Sequence, residues 1–299
     1  MRGVNVLLLH NPTAGDDRFS DRDLIAMLRK VGCRVTYLPT DDPGLKLRLT
    51  DPVDLLVVAG GDGTVAAVLG EIRGRTAPLT ILPLGTANNL ARALGIRAPG
   101  EAEIAELIAG LNQGRLVPLD FGSSAGPWGR QRFFESAGFG AIARALGPVN
   151  ESKVPSAEKI PQGRRAMKQV FHDLRPARLR ITLDGRQTDE ELLMLELTRI
   201  ASIGPKLCIA PAADPGDGLI HVACLPVERR AAMLTWLDDP EGGPAPLALR
   251  TARQVEVGWH DTPSHLDDYF HDEPRQPCTM RAWLEPAAIK VLVPGKHAA

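Results

Sequence analysis

The stretch DLLVVAGGDGT, residues 54–64, decides how the chain is read. Its first half, Asp54 to Gly60, is continuously apolar from Leu55 onward instead of alternating, as expected of a strand buried on both faces of a parallel sheet. Its second half, Gly60-Gly61-Asp62-Gly63-Thr64, stands where that strand ends and a helix would begin. Glycines there let backbone N–H groups approach an anion, and a helix N-terminus adds the positive end of its dipole. Phosphate is the ligand that suits this arrangement. Thr64 contributes a hydroxyl, and Asp62 makes sense in a phosphate cradle when a divalent cation lies between carboxylate and phosphate. The simpler reading is a tight turn with an N-capping aspartate; three glycines around one aspartate weigh against it.

Working outward, VNVLLLH (4–10) and LTILPLG (79–85) are further short apolar runs that end in turn residues. Between the first two runs, Ser20 precedes a helical pattern with Leu24, Ile25, Leu28 and Val31 on one face, and Asp23 stands three residues after that cap. Gly32 can end the helix, a strand follows over 34–39, and helices are expected at 64–73, 88–94 and 101–111. This βαβ succession predicts an open parallel sheet with helices on its faces. Two more turns then fall at strand ends: Pro83-Leu84-Gly85-Thr86 before a helix, and Asn11-Pro12-Thr13-Ala14-Gly15 after the first strand. Either alone reads as an ordinary connection, but three turns at one sheet edge mark the crevice where open α/β sheets bind ligands. The GxxxxGK[ST] phosphate loop is absent. A relaxed dinucleotide fingerprint at Gly61, Gly63 and Ala66 lacks the acidic residue that should follow about 20 residues on.

After Gly114 the pattern changes to strands at 115–121, 131–137, 178–184, 191–200, 206–211, 218–225, 253–259, 278–284 and 288–293, with helical segments near 156–175 and 228–238. The predicted fold is thus an α/β N-terminal domain with a parallel sheet over 1–117, then a mainly antiparallel, β-rich second domain over 118–287. A final strand near 288–299 is a candidate to return to the first domain. With 35 Lys+Arg against 36 Asp+Glu, the net charge of −1 gives no general attraction to nucleic acid. The four cysteines are dispersed, which indicates neither a zinc site nor a disulfide framework and fits a reducing cytoplasm. No apolar run approaches the roughly 20 residues of a membrane span, so membrane contact is expected to be peripheral, at the inner face.

NPTAG, GGDGT and LPLGTANNLAR, in this order and spacing, resemble the diacylglycerol kinase catalytic-domain family, which includes bacterial lipid kinases, sphingosine kinases and ceramide kinases. The similarity extends to Ile203-Gly204-Pro205 and to Ala210 through Leu219, which is similar to the family's APxAxxxDGxLD segment. GGDGT alone is shared with NAD kinases. The resemblance implies an ATP- and Mg²⁺-dependent kinase acting on a hydroxyl of a diacylglycerol-like or sphingoid-like lipid, with nucleotide in a cleft between the N-terminal α/β domain and a mainly antiparallel C-terminal β-sandwich. By motif, Asn11, Thr40, Gly60, Gly61, Asp62, Gly63, Thr64, Gly85 and Thr86 would hold the nucleotide. Asp214, Asp217 and the Leu219 carbonyl would hold a cation, Mg²⁺ or a structural Ca²⁺; on its own, this turn reads equally well as an Asp-Gly connection between strands.

Several positions depart from the family pattern. Ala66 and Ala67 replace its Asn-Glu, Asn89 stands where an aspartate is usual, and the late DGE element has no exact copy. Phosphoryl transfer calls for a carboxylate near the acceptor hydroxyl, and the candidates are Asp267, Asp268 and Glu273, with Asp62 also expected to be catalytic. A solvated acidic loop is the plainer reading of 267–273. A non-catalytic nucleotide- or lipid-binding homologue, and less readily an NAD kinase, are the alternatives. His260, His265 and His271 match no metal-ligand spacing and are expected on a surface loop. Between Lys153 and Arg180 eight basic residues face two acidic ones, either a solvated helix face or a contact for anionic lipid headgroups. Oligomeric state is not encoded in any of these features.

Overall fold

Residues 3–14, 19–72, 74, 77–113, 115–150 and 155–295 are described by the computed structural model. Gly15 of the NPTAG segment, Arg73 at the end of an expected helix, Gly114, Lys153 and the end of the chain at 296–299 lie outside them. The chain forms two compact units. Unit 1 comprises Met1–Asp120 with Pro286–Ala299, and unit 2 comprises Phe121–Glu285.

In unit 1 the apolar runs become strands β1 (Asn5–His10), β2 (Arg34–Pro39), β3 (Leu55–Gly60) and β4 (Leu79–Pro83). The helices are α1 (Asp21–Lys30), α2 (Leu45–Arg48), α3 (Asp62–Glu71), α4 (Asn89–Ala93) and α5 (Glu101–Asn112). These four strands pair in parallel, in the order β2-β1-β3-β4. Burial on both faces explains the continuous apolar runs: every residue of β3 is buried. Val6, Leu8, Leu55 and Val57 share one core with Leu24 and Leu28 of α1 and Ile104, Leu107 and Ile108 of α5. Ser20 and Asp23 form the anticipated capping box at the start of α1. Because β1 connects to β2 on one side and pairs with β3 on the other, the strand order reverses between β1 and β3. That reversal is where ligands bind in sheets of this kind.

Unit 2 is antiparallel. It contains β5 (Leu116–Gly126, which begins in unit 1), β6 (Gly129–Phe133), β7 (Ser136–Gly140), α6 (Ala141–Asn150), α7 (Ser156–Asp173), β8 (Ala177–Leu183) and β9 (Arg186–Thr198). There follow β10 (Ser202–Ile203), β11 (Leu207–Cys208), β12 (Ile220–Pro226), a 3-10 turn at Val227–Arg229 and α8 (Arg230–Trp236). The last strands are β13 (Ala248–Ala252), β14 (Gln254–Trp259), β15 (Ser264–Leu266), β16 (Tyr269–His271) and β17 (Cys278–Leu292), which from Pro286 onward belongs to unit 1 and pairs in parallel with β4 at Val291 and Leu79. β9 organises the unit: its first half pairs with β8, and its second half with both β7 and β12. Two rows, Phe139, Leu195, Leu197 and Ala137 with Ile181, Val222, Val257 and Trp259, meet in one apolar core.

Three expectations change. The single strand expected at 131–137 is broken at Phe134-Glu135, because the N–H groups of Phe134, Glu135 and Ser136 turn to the Asp267 carboxylate instead of a neighbouring strand. Conversely, the two strands expected at 278–284 and 288–293 are one, β17. Pro286 has no N–H to lose, and the Ala287 N–H, at φ 46°, donates to Asp120 Oδ1 at 2.7 Å. The histidines are not a surface loop: His260 is exposed, but His265 is buried on β15 and His271 stacks on Trp128 with ring centroids 4.5 Å apart. Among the described residues no helix is long and apolar enough to cross a membrane.

Candidate functional site

The end of β3 sets the geometry in unit 1. Helix α3 begins at Asp62, two residues earlier than its sequence pattern suggested, with Gly61 as its cap and no side-chain capping bond. Asp62 is therefore the first helical residue and not the cap. The first N–H groups of a helix have no partner within it; here Asp62, Gly63 and Thr64 form the first turn of α3, which the Val65 N–H closes on Gly61 O at 3.0 Å. A side chain at Gly60 would collide with Thr64, whose Cβ lies 2.6 Å from the position of the added carbon. Thr64 is fixed in turn by Asn11, whose Nδ2 donates to Thr64 Oγ1 at 2.9 Å. The end of β1 is thereby tied to the loop after β3 across the switch point.

The second turn packs backbone to backbone against the first. A Cβ on Gly85 would lie 2.5 Å from Gly61 Cα, and one on Gly61 would lie 3.2 Å from Gly85 Cα. Asn88 shapes this turn from a left-handed conformation, φ 50°, with its Nδ2 donating to Gly85 O at 2.6 Å. The Asp62 carboxylate spans both turns, accepting the Leu90 N–H of α4 at 3.3 Å. Thr86 is half-buried in the same turn, and Thr40, just past β2, donates its N–H to His10 O at 2.9 Å. Asn88 carries no role of its own in the sequence reading, where of this pair only its neighbour Asn89 departs from the family pattern. The signal for Asn88 was the tolerance of asparagine for left-handed backbone.

In unit 2 the acidic candidates have separate surroundings. Asp267 occupies the two-residue turn between β15 and β16 at φ 48°. Its carboxylate accepts the N–H groups of Phe134 at 2.8 Å, Glu135 at 2.7 Å and Ser136 at 3.1 Å. Enclosure pushes its carboxyl up to about 6, against the pull of those three amides. Asp268, beside it, is exposed. Glu273 is exposed and ion-paired with Arg144 of α6. Beneath the turn lie two groups the sequence did not single out: His265, treated as a surface residue, and Glu196, fully buried on β9 and 3.1 Å from His265 Nε2. Such pairs carry no local signature, because their members are far apart in sequence.

The 214–219 turn uses its carboxylates on its own backbone. Asp214 Oδ1 accepts the Gly216 N–H at 2.9 Å, Asp217 Oδ1 accepts the Leu219 N–H at 2.8 Å, and Asp217 Oδ2 lies 2.8 Å from His221 Nε2. Among the described residues there is no cluster of three His, Cys, Asp or Glu that could hold a metal. A cation at this turn would therefore depend on two carboxylates and a carbonyl, a hard oxygen set of the kind Mg²⁺ or Ca²⁺ accepts. In the basic segment, charges are largely matched: Arg165 pairs with Glu158, Lys168 with Asp238, Arg178 with Glu191 and Arg180 with Asp189.

Comparison with known proteins adds two family matches. Residues 5–123 match the pattern described as the diacylglycerol kinase catalytic domain, and residues 136–293 match the YegS C-terminal NAD kinase beta sandwich-like domain. A "Probable lipid kinase YegS-like" protein of Pseudomonas aeruginosa (strain UCBPP-PA14) is 30% identical over 302 residues, covering 97% of this chain and 94% of its own. A "Diacylglycerol kinase" of Bacillus subtilis (strain 168) is 28% identical over 232 residues, covering 73% of this chain and 72% of its own. Among solved structures, a diacylglycerol kinase from Bacillus anthracis str. Sterne has TM-score 0.69 at 19% identity, with 98% of each chain covered. An NAD kinase from Archaeoglobus fulgidus in complex with ATP has TM-score 0.55 at 12% identity, covering 98% of this chain and 94% of its own. At these identities the solved structures speak to the fold alone.

Proposed function

The chain belongs to the diacylglycerol kinase catalytic-domain family of lipid kinases, phosphotransferases with an alcohol acceptor, and from that premise we propose that it moves the γ-phosphate of ATP to a hydroxyl of a diacylglycerol-like or sphingoid-like lipid. The observation that carries this reading is the pair of glycine turns at the ends of β3 and β4, in backbone contact through Gly61 and Gly85 and tied to β1 by the Asn11–Thr64 bond. The N-terminal turn of α3 suits phosphate oxygens, and the glycines allow a close approach. Thr40 and Thr86 would line the nucleotide side. Asp62 holds the two turns together and remains close to the anion, where a divalent cation, Mg²⁺, would neutralise phosphate charge. Asp214, Asp217 and the Leu219 carbonyl would hold a second, structural cation.

Phosphoryl transfer depends mostly on positioning and charge neutralisation, and the acceptor hydroxyl must lose its proton as the new bond to phosphorus forms. In this reading one carboxylate among Asp267, Asp268 and Glu273 takes that proton. The enzyme would be cytoplasmic and work peripherally at the inner membrane face, where such acceptors reside.

Radiolabelled ATP incubated with diacylglycerol, sphingoid base, ceramide, phosphatidylglycerol and NAD tests the assignment. We expect label in a lipid, and at least a hundredfold loss of turnover for Asp62→Asn; wild-type turnover in that variant would sink it. The second reading, a nucleotide-binding homologue without transfer, is favoured by Ala66, Ala67 and Asn89 in place of acidic or amide groups. Saturable ATP binding with no labelled product across the panel would select it.

A further inference from the structure

A row of three register partners crosses unit 2 directly beneath the Asp267–Asp268 turn: Glu196 on β9, Gly138 on β7 and His265 on β15. Glu196 is 0% and His265 3% exposed. His265 Nε2 lies 3.1 Å from both carboxylate oxygens of Glu196, and Nδ1 lies 3.0 Å from the backbone carbonyl oxygen of Asp267. A carbonyl only accepts, so Nδ1 carries a proton. The contact with Glu196 needs a second proton between ring and carboxylate. The ring orientation is thus set from both sides. The middle of the row has to be glycine, because a Cβ on residue 138 would sit 2.0 Å from Glu196 Oε1.

Burying a carboxylate and an imidazole is costly, and apolar residues of similar volume often serve a core equally well. What this pair holds is specific. It grips the backbone of Asp267 from below, while the Asp267 carboxylate is gripped by the three amides of residues 134–136.

We propose that Glu196 and His265 are positioning residues for phosphoryl transfer, fixing the β15–β16 turn so that its carboxylates stay aligned to take the acceptor's proton. This rests on the kinase reading and favours the turn over Glu273, which is exposed and paired with Arg144. The raised carboxyl of Asp267 suits proton acceptance near neutral pH. The groups around His265 are Glu196 from β9, Asp267 and Asp268 in the turn, and His271 on β16, which burial and the His265 charge keep low. β7 contributes only Gly138, and the charged residue of α6, Arg144, is paired outward with Glu273.

The test compares Glu196→Gln, His265→Gln, Asp267→Asn and Asp268→Asn in the full chain, with [γ-³²P]ATP and dispersed diacylglycerol, at pH 5 to 9. For folded Glu196→Gln we expect kcat to fall tenfold or more, a shifted acid limb of kcat/KM, and a KM for ATP within twofold of wild type. If both turn variants keep wild-type kcat, the turn does not supply the base and the proposal falls with it. If either turn variant loses tenfold while folded Glu196→Gln keeps the wild-type kcat and pH profile, the positioning role alone is overturned. Should the buried variants fail to fold, histidine ¹⁵N NMR on the wild-type chain decides: a His265 ring protonated at Nδ1 is expected, and one protonated only at Nε2 overturns the proposal. Absence of transfer to every lipid would remove the kinase reading itself.

Discussion

In unit 1, Gly61 and Gly85 bring two turns together with no side chain between them; in unit 2, the corner around Asp267 is held by buried side chains that reach across four segments of chain. The first arrangement brings backbone against backbone by removing atoms. The second places a carboxylate by filling space with hydrogen-bonded charge, so its geometry depends on protonation. A pair of turns in backbone contact should fail most where a Cβ intrudes, whereas a corner built from side chains should fail when any member is altered, and should respond to pH.

Gly138→Ala gives the sharpest separation of the two. The added carbon would meet Glu196 Oε1 at 2.0 Å, so the carboxylate must leave His265 while still buried. Breaking such a pair costs about 3–5 kcal/mol, which urea unfolding should read in the melting of unit 2. A cost under about 1 kcal/mol would mean the corner is soft, and the contrast would collapse. Gly85→Ala comes next. Its Cβ would meet the Gly61 backbone at 2.5 Å, where no side chain can swing aside, so the turns must separate. Overpacking of this kind costs about 1–3 kcal/mol; nucleotide affinity, read by calorimetric titration with ATP, should fall at least tenfold.

A smaller effect tests the protonation dependence. Burial disfavours the His265 cation, but Glu196 and the Asp267 carbonyl outweigh it, and its pKa is raised. A raised histidine stabilises the folded state fully below its unfolded pKa of about 6.5, and that stability is lost as pH rises through the folded value. Chemical unfolding between pH 6 and 9 should therefore show unit 2 weakening on the alkaline side, and Glu196→Gln should flatten the slope. A slope unchanged by that variant would assign the pH dependence to another group.

The same contrast explains what could be read from the chain. Continuous apolar runs ending in Gly-rich turns encode the parallel sheet locally, so β1, β3 and β4 and the turns after them were legible, as was the capping box of α1. The break at Phe134-Glu135 was not, because its cause, Asp267, lies 133 residues from Phe134. His265 looked like a surface histidine since nothing near it in sequence shows Glu196, 69 positions away. β15 and β16 were missed for a related reason: strands of three residues are too short for alternation to register. Asn88 had a local signal, its place after Gly85-Thr86-Ala87, that points to a turn needing left-handed backbone.

The smallest effect is expected at the side-chain bond that ties β1 to the glycine site, Asn11 Nδ2 to Thr64 Oγ1 at 2.9 Å. The bond is part-buried and neutral, and its loss should cost about 0.5–1.5 kcal/mol. Asn11 Oδ1 also accepts from Thr13 N–H and Oγ1, so Asn11→Ala alone would remove three contacts and overstate the link. Thr64→Val keeps the branched shape that fills the space above Gly60 and removes only the hydroxyl. A double-mutant cycle of Asn11→Ala with Thr64→Val isolates the pair. If this site is built by backbone, the coupling in stability should be about 1 kcal/mol or less, with ATP affinity changing by less than tenfold. A coupling as large as the Gly138→Ala effect would show that unit 1 also relies on a side-chain strut, and that its glycines provide clearance and not the fixing force.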